Sequence, residues 1–301
     1  MAALVRQIAV LCCAVPASAV AQQGPLAPAR QVTHAINDDP SFAPDGARFV
    51  YVVVVAGREQ LFVRSLDGHE IRQLTADSAD HESPAWSPDG QRVAFVSITK
   101  TTERIVVMPL VGGAAEMLTP VSERAIHPSW SPDGRRIAYC LDDDLVPPRK
   151  NPADIKVIDV ATRGRRVLIT GGVNTYPVWS PDGARIAFRR MVGETNSEVF
   201  VADSNGAHAQ NLTNNAAFDG WPAWAPDGRR LAFASNRDGD YQIYVMQADG
   251  SGVQLVAHTT GRATAPKWSP DGRTLYFPVC RVVDGGADCE IYSAGAPPQG
   301  N

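Results

Sequence analysis

The tripeptide Pro-Asp-Gly occurs six times along this chain, with its aspartates at Asp45, Asp89, Asp133, Asp182, Asp227 and Asp271. Successive spacings are 44, 44, 49, 45 and 44 residues. The flanks repeat with it: SFAPDGARFVYV, AWSPDGQRVAFVS, SWSPDGRRIAYC, VWSPDGARIAFRR, AWAPDGRRLAFAS and KWSPDGRTLYFPV. A period of this length suits either a solenoid of helix pairs or a propeller of four-stranded blades. The segments decide between them. They are β-branched, alternate apolar with polar residues, and are cut by Gly and Pro, which is the pattern of strands. The expectation is an all-β, six-bladed β-propeller with four strands per blade.

The fifth repeat shows the internal order best. PAWA (222–225) reads as a short inner strand and Pro226-Asp227-Gly228 as a turn. There Pro presets φ, Asp bonds nearby backbone and Gly accepts positive φ. RRLAFAS (229–235), YQIYVMQ (241–247) and VQLVAH (253–258) follow as strands two to four. Trp86, Trp130, Trp179, Trp224 and Trp268 each stand two residues before the proline of this turn, and Phe42 takes that slot in the first repeat. They read as apolar plugs between blades. A second proline recurs two residues earlier, at Pro40, Pro84, Pro128, Pro177, Pro222 and Pro266. The six aspartates repeat identically, as a structural turn requires and a single active site does not. The last repeat stops after its third strand, CEIYSA (289–294). RQVTH (30–34) resembles RQLTA (72–76), the fourth strand of the first repeat. Residues 30–34 are therefore expected to complete blade six and remove an open sheet edge.

The chain begins MAALVRQIAVLCCAVPASAVAQQ. Arg6, an apolar stretch from Ile8 to Val15, and small residues ending in Ala19-Val20-Ala21 form a secretory signal pattern. The expected organisation is a signal peptide over 1–21, a flexible leader over 22–29 and a propeller over 30–301. Localisation follows as periplasmic or secreted, after cleavage near Ala21. The mature chain keeps Cys140, Cys280 and Cys289, and an oxidising compartment permits a disulfide. Cys280 and Cys289 flank VVDGGA, a hairpin-like turn, and form the candidate pair. Cys140 is then a buried thiol. A net charge of −4 argues against nucleic acid, whose binders carry basic surfaces. No apolar run reaches the roughly 20 residues of a membrane span.

The repeats resemble the propeller of the TolB family over residues 30–301. The strongest stretches are the WSPDG phrases and SNRDGDYQIYVMQADGS (235–251). TolB carries an α/β domain before its propeller. Here about eight residues separate the expected cleavage site from the first strand, so a free-standing propeller is expected. The resemblance implies a protein partner of the envelope-lipoprotein kind, contacted by the loops that enter each first strand. His81, five residues before Trp86, resembles the histidine the family uses there. One fold hosts many functions, and the same repeat occurs in propellers attached to peptidases and lyases.

Enzyme motifs are lacking in the sequence. There is no Gly-x-Ser-x-Gly nucleophile elbow. His69-Glu70 and His81-Glu82 open like a zinc-protease motif, but neither has a second His four residues on. No metal or cofactor is expected, and Asp142, Asp143 and Asp144 read as a solvated loop. Function is instead expected in the loops that escape the repeat. The residues before the repeated prolines are Asp39, Ser83, His127, Tyr176, Trp221 and Ala265, different in every blade. The candidate binding set at the channel mouth is Asp39, His81, Glu82, His127, Tyr176, Asp219 and Trp221. Acids outnumber bases in these loops, which favours a mildly basic partner or a cation. The principal reading is a monomeric, non-catalytic propeller that binds a protein or peptide. The alternatives are a hydrolase or lyase acting on a saccharide or peptide, with His81, His127, Tyr176 and nearby acids as acid and base, and a sensor of a carbohydrate or small ligand.

Overall fold

The computed structural model describes Leu26 and residues 28–32, 37–141, 152–283 and 286–298. The expected signal peptide and the aspartate run at 142–144 lie outside these residues. Six antiparallel sheets follow one another in chain order. Their first strands are Asn37–Phe42, Asp80–Trp86, Ala125–Trp130, Asn174–Trp179 and Asp219–Trp224, with a split one in blade six, Arg262–Ala263 and Lys267–Trp268. Each first strand touches its counterpart in the next blade, and that of blade six touches blade one. The ring is closed, a six-bladed propeller. Among the described residues no helix is long and apolar enough to cross a membrane.

The second strands explain why the blades stack. In Arg92–Ile98, every residue from Val93 to Ser97 is buried. A strand covered by neighbours on both faces reads as a continuous apolar run rather than an alternating one. The turn between first and second strands is held by its aspartate. Asp133 accepts the Ser131 hydroxyl at 2.5 Å and the Arg135 N–H at 3.1 Å. Asp89, Asp182 and Asp271 repeat both bonds. In Asp133, Asp182 and Asp271 the serine hydroxyl leads in holding the carboxyl below its usual range. Burial opposes this in Asp45 and Asp89, but hydrogen bonds and the neighbouring arginine outweigh it.

The arginine three residues after Asp45, Asp89, Asp133, Asp182 and Asp227 links one blade to the next. Arg48 pairs with Asp45 at 2.6 Å and lies 5.5 Å from the ring centre of Trp86 in blade two. Arg92 over Trp130, Arg136 over Trp179, Arg185 over Trp224 and Arg230 over Trp268 repeat the stack at 4.5 to 5.0 Å. Each such cation–π contact contributes about 0.5–1 kcal/mol when partly exposed. The sixth seam differs on both sides. Thr274 replaces the arginine and Phe42 the tryptophan, and Phe42 packs on Tyr276 at 4.5 Å.

Blade six is completed from the other end of the chain. Arg30–Gln31 pairs antiparallel with Gly286–Gly295, and the Val32 N–H donates to the Ile291 carbonyl at 2.7 Å. The closing strand is thus in place over its first residues, while 33 and 34 lie outside the described ones. In the hairpin of Thr274–Val283 and Gly286–Gly295, Cys280 stands directly opposite Cys289 and the two sulfurs are bonded. Cys140 is a buried thiol outside this disulfide.

Candidate functional site

Each first strand carries a bulge. Pairing with the second strand shifts register between Asp38 and Ser41, Glu82 and Ala85, Ile126 and Ser129, Thr175 and Val178, and Gly220 and Ala223. In blade six the strand is interrupted at the same place. The residue before the repeated proline sits inside the bulge with φ in the left-handed region. Ser83 has φ 49°, His127 54°, Tyr176 54°, Trp221 53° and Ala265 42°. Non-glycine residues rarely adopt this conformation, and each instance costs on the order of 1–3 kcal/mol. Bulges re-aim side chains. Here Ser83, His127, Tyr176, Trp221 and Ala265 all line one central cavity of about 790 Å³, together with Pro84, Pro128, Pro177 and Pro222.

Three of these residues form an aromatic arc across neighbouring blades. The His127 and Tyr176 rings stack at 3.8 Å between centres. Trp221 follows at 5.5 Å from Tyr176 and packs edge-on against Tyr241. Phe218 closes the group against both Trp221 and Tyr241. Guanidinium groups sit on its faces. Arg189 lies 5.1 Å from the Tyr176 ring centre, and Arg262 lies 4.4 Å from Tyr241. Arg189 is only 2% exposed. His127 Nδ1 meets the Cys140 thiol at 3.3 Å. Burial, followed by the positive charges of Arg189 and Lys267, pushes its pKa down to about 3, so the ring is neutral at neutral pH.

The sequence candidates divide. Glu82, His127, Tyr176 and Trp221 line the cavity. His81 and Asp219 do not. His81 is buried, takes an edge-on position against Phe95, and pairs through Nε2 with Asp77 at 2.9 Å. Asp219 is fully buried and holds Arg237 at 3.0 Å and the Asn215 amide at 2.5 Å. The two occupy the same slot, three residues before the proline. Its other described occupants, Ala125, Asn174 and Ala263, are all buried as well. The side chain of Asp39 lies outside the described ones.

The expected acidic mouth also needs correction. Asp80 is paired with Arg58 at 2.9 Å, and Glu123 with Lys156 and Arg165 at 3.0 and 2.8 Å. With Asp219 on Arg237, three of the described loop acids are paired with basic side chains of the protein itself, and Asp77 meets the His81 ring. What faces the cavity is Glu59 and Glu82 on blades one and two, and Arg262 and Lys267 on blade six. Burial, then the nearby Asp80 charge, raises the Glu59 carboxyl above its usual range. Sequence reasoning did not single out Glu59, Arg189, Phe218, Tyr241 or Lys267 as site residues. Arg189 carried a signal: FRR breaks an otherwise apolar second strand.

Among the described residues no three His, Cys, Asp or Glu side chains are grouped to hold a metal ion. No carboxylate among them is within hydrogen-bond reach of His127, whose ring nitrogen faces the thiol. The one His–carboxylate pair beside a first strand, His81 with Asp77, lies outside the cavity.

The sequence matches the TolB beta propeller domain family over residues 29–145 and 115–282. No curated protein matches the chain. Among solved structures, TolB from Acinetobacter baumannii aligns with TM-score 0.69 at 21% identity, covering 83% of this chain and 64% of that one. A protein assigned as TolB from Agrobacterium tumefaciens aligns at TM-score 0.65 and 24% identity, covering 88% and 92%. Oligogalacturonate lyase from Vibrio parahaemolyticus aligns at 0.60 and 12%, covering 89% and 93%. At these identities the likeness speaks to the fold.

Proposed function

The chain belongs to the TolB β-propeller family, and from that premise we propose that it is a non-catalytic propeller of an oxidising, extracytoplasmic compartment that seats a protein segment or peptide in its central channel. On this reading residues 1–21 are a signal peptide, 22–29 a leader and 30–301 the mature domain. The bonded Cys280 and Cys289 support such a compartment, since disulfides persist where thiols are not kept reduced. One observation carries the binding reading. In blades two to six the residue before the repeated proline takes a left-handed φ and lines the channel, and it differs from blade to blade. A repeat that spends backbone strain only to present variable residues in one cavity is built to recognise something. Aromatic anchors in a cavity are where binding energy concentrates. An acid–base reading finds less support, because neutral His127 stacks on Tyr176 and faces a thiol.

The test is affinity capture from cell-envelope extract with residues 22–301 as bait, comparing wild type with Tyr176→Ala/Trp221→Ala. The expected result is a partner whose affinity falls at least tenfold, about 1.4 kcal/mol, in the double variant. Tyr176→Phe and Trp221→Phe should keep most of it. Equal retention by wild type and the double variant, both folded by circular dichroism, rejects the channel as the docking site.

A further inference from the structure

The channel wall is sorted by charge around the ring. Blades one and two contribute Glu59 and Glu82, blades three to five contribute His127, Tyr176 and Trp221, and blade six contributes Arg262 and Lys267. Arg262 is exposed to the cavity and makes cation–π contacts with Tyr241 at 4.4 Å and Trp221 at 5.8 Å. Among the described residues no carboxylate is bonded to it. Its mounting is firm. Arg262 pairs in register with Cys280, which is cross-linked to Cys289, and the next residue, Ala263, donates its N–H to Tyr241 at 2.9 Å. A guanidinium placed 4.4 Å from the Tyr241 ring centre still offers its fork of N–H donors, which suits a carboxylate.

We propose that Arg262 and Lys267 form a carboxylate seat, and that the channel takes a peptide segment presenting a free carboxylate there while a neighbouring side chain stacks on Trp221 or Tyr176. This rests on the channel being the binding site. Charge complementarity favours a peptide over an acidic saccharide. A peptide carries both signs, so its cationic groups can meet Glu59 and Glu82 while its carboxylate meets Arg262. A polyuronide brings carboxylates only and is repelled by the acid wall. A cavity of about 790 Å³ falls in the range that buries a ligand of a few residues.

The experiment uses residues 22–301 and two pools of random pentapeptides, one with free C-terminal carboxylates and one amidated. Retained peptides are quantified by mass spectrometry. Retention of the acid pool should exceed that of the amidated pool at least tenfold. Arg262→Ala should lower acid-pool retention at least tenfold with an unchanged melting midpoint, and Arg262→Lys should keep part of it. Equal retention of the two pools, lost in Tyr176→Ala/Trp221→Ala, overturns the seat while leaving channel binding intact. Retention of neither pool overturns the peptide seat, and the envelope capture then judges the channel on its own. Retention of an oligouronide in place of the peptides overturns the peptide as the source of the carboxylate.

Discussion

His127 is placed where a proton is unwelcome: stacked on Tyr176, bonded to a thiol, and within the field of Arg189 and Lys267. Its folded pKa is depressed from 6.5 to about 3. The unfolded chain takes up a proton as pH falls through 6.5, and the folded protein does not until about 3. This group therefore contributes a loss of stability as pH drops across that window. His127→Gln should flatten that part of the profile, as read from urea midpoints between pH 7 and pH 4. A profile unchanged by the substitution would reject the assignment. At this scale the sequence was only half legible. Position before proline found His127, Tyr176 and Trp221, because those residues vary while their neighbours repeat. Proximity to the mouth misled for His81 and Asp219. The bulge comes after them, so they still follow the strand's inward alternation and are buried between blades. The small or buried residues Ala125, Asn174 and Ala263 in the same slot were the available clue.

The strands and turns were legible almost throughout, because each is specified by residues with a single physical use. The serine and aspartate of the turn, the arginine that follows, and the tryptophan of the next blade all bond as a unit. The bulge was not legible. Its left-handed φ sits at serine, histidine, tyrosine, tryptophan and alanine, none of which announces that conformation as glycine does. The blade-six hairpin is the element that most depends on a covalent link. Its strands run ten residues each, Thr274–Val283 and Gly286–Gly295, and one of them carries the partner of Arg262. Cys280→Ser/Cys289→Ser should cost about 2–3 kcal/mol, the range for closing a short loop. Urea unfolding of the variant, and of wild type under reductant, checks this, and coincident curves with oxidised wild type would refute it.

At the scale of the molecule, closure rests on one seam unlike the rest. Five blade junctions repeat the arginine–tryptophan stack, while at the sixth Thr274 and Phe42 take those two slots and Phe42 packs on Tyr276. Arg30–Gln31 supplies the outer strand of blade six, so a chain beginning at residue 36 leaves that edge bare. Its melting midpoint should fall and its tendency to self-associate should rise, measured by calorimetry and light scattering against residues 22–301. Identical behaviour would mean that the closing strand adds nothing. The bulge before each proline has a consequence of another kind. Its conformational penalty belongs to the repeat, whichever side chain occupies the slot. Ser83 and Ala265 stand outside the aromatic arc, while His127, Tyr176 and Trp221 touch one another across neighbouring blades. A lineage can therefore rewrite the ends of the row one letter at a time, whereas letters within the arc are coupled and change meaning together.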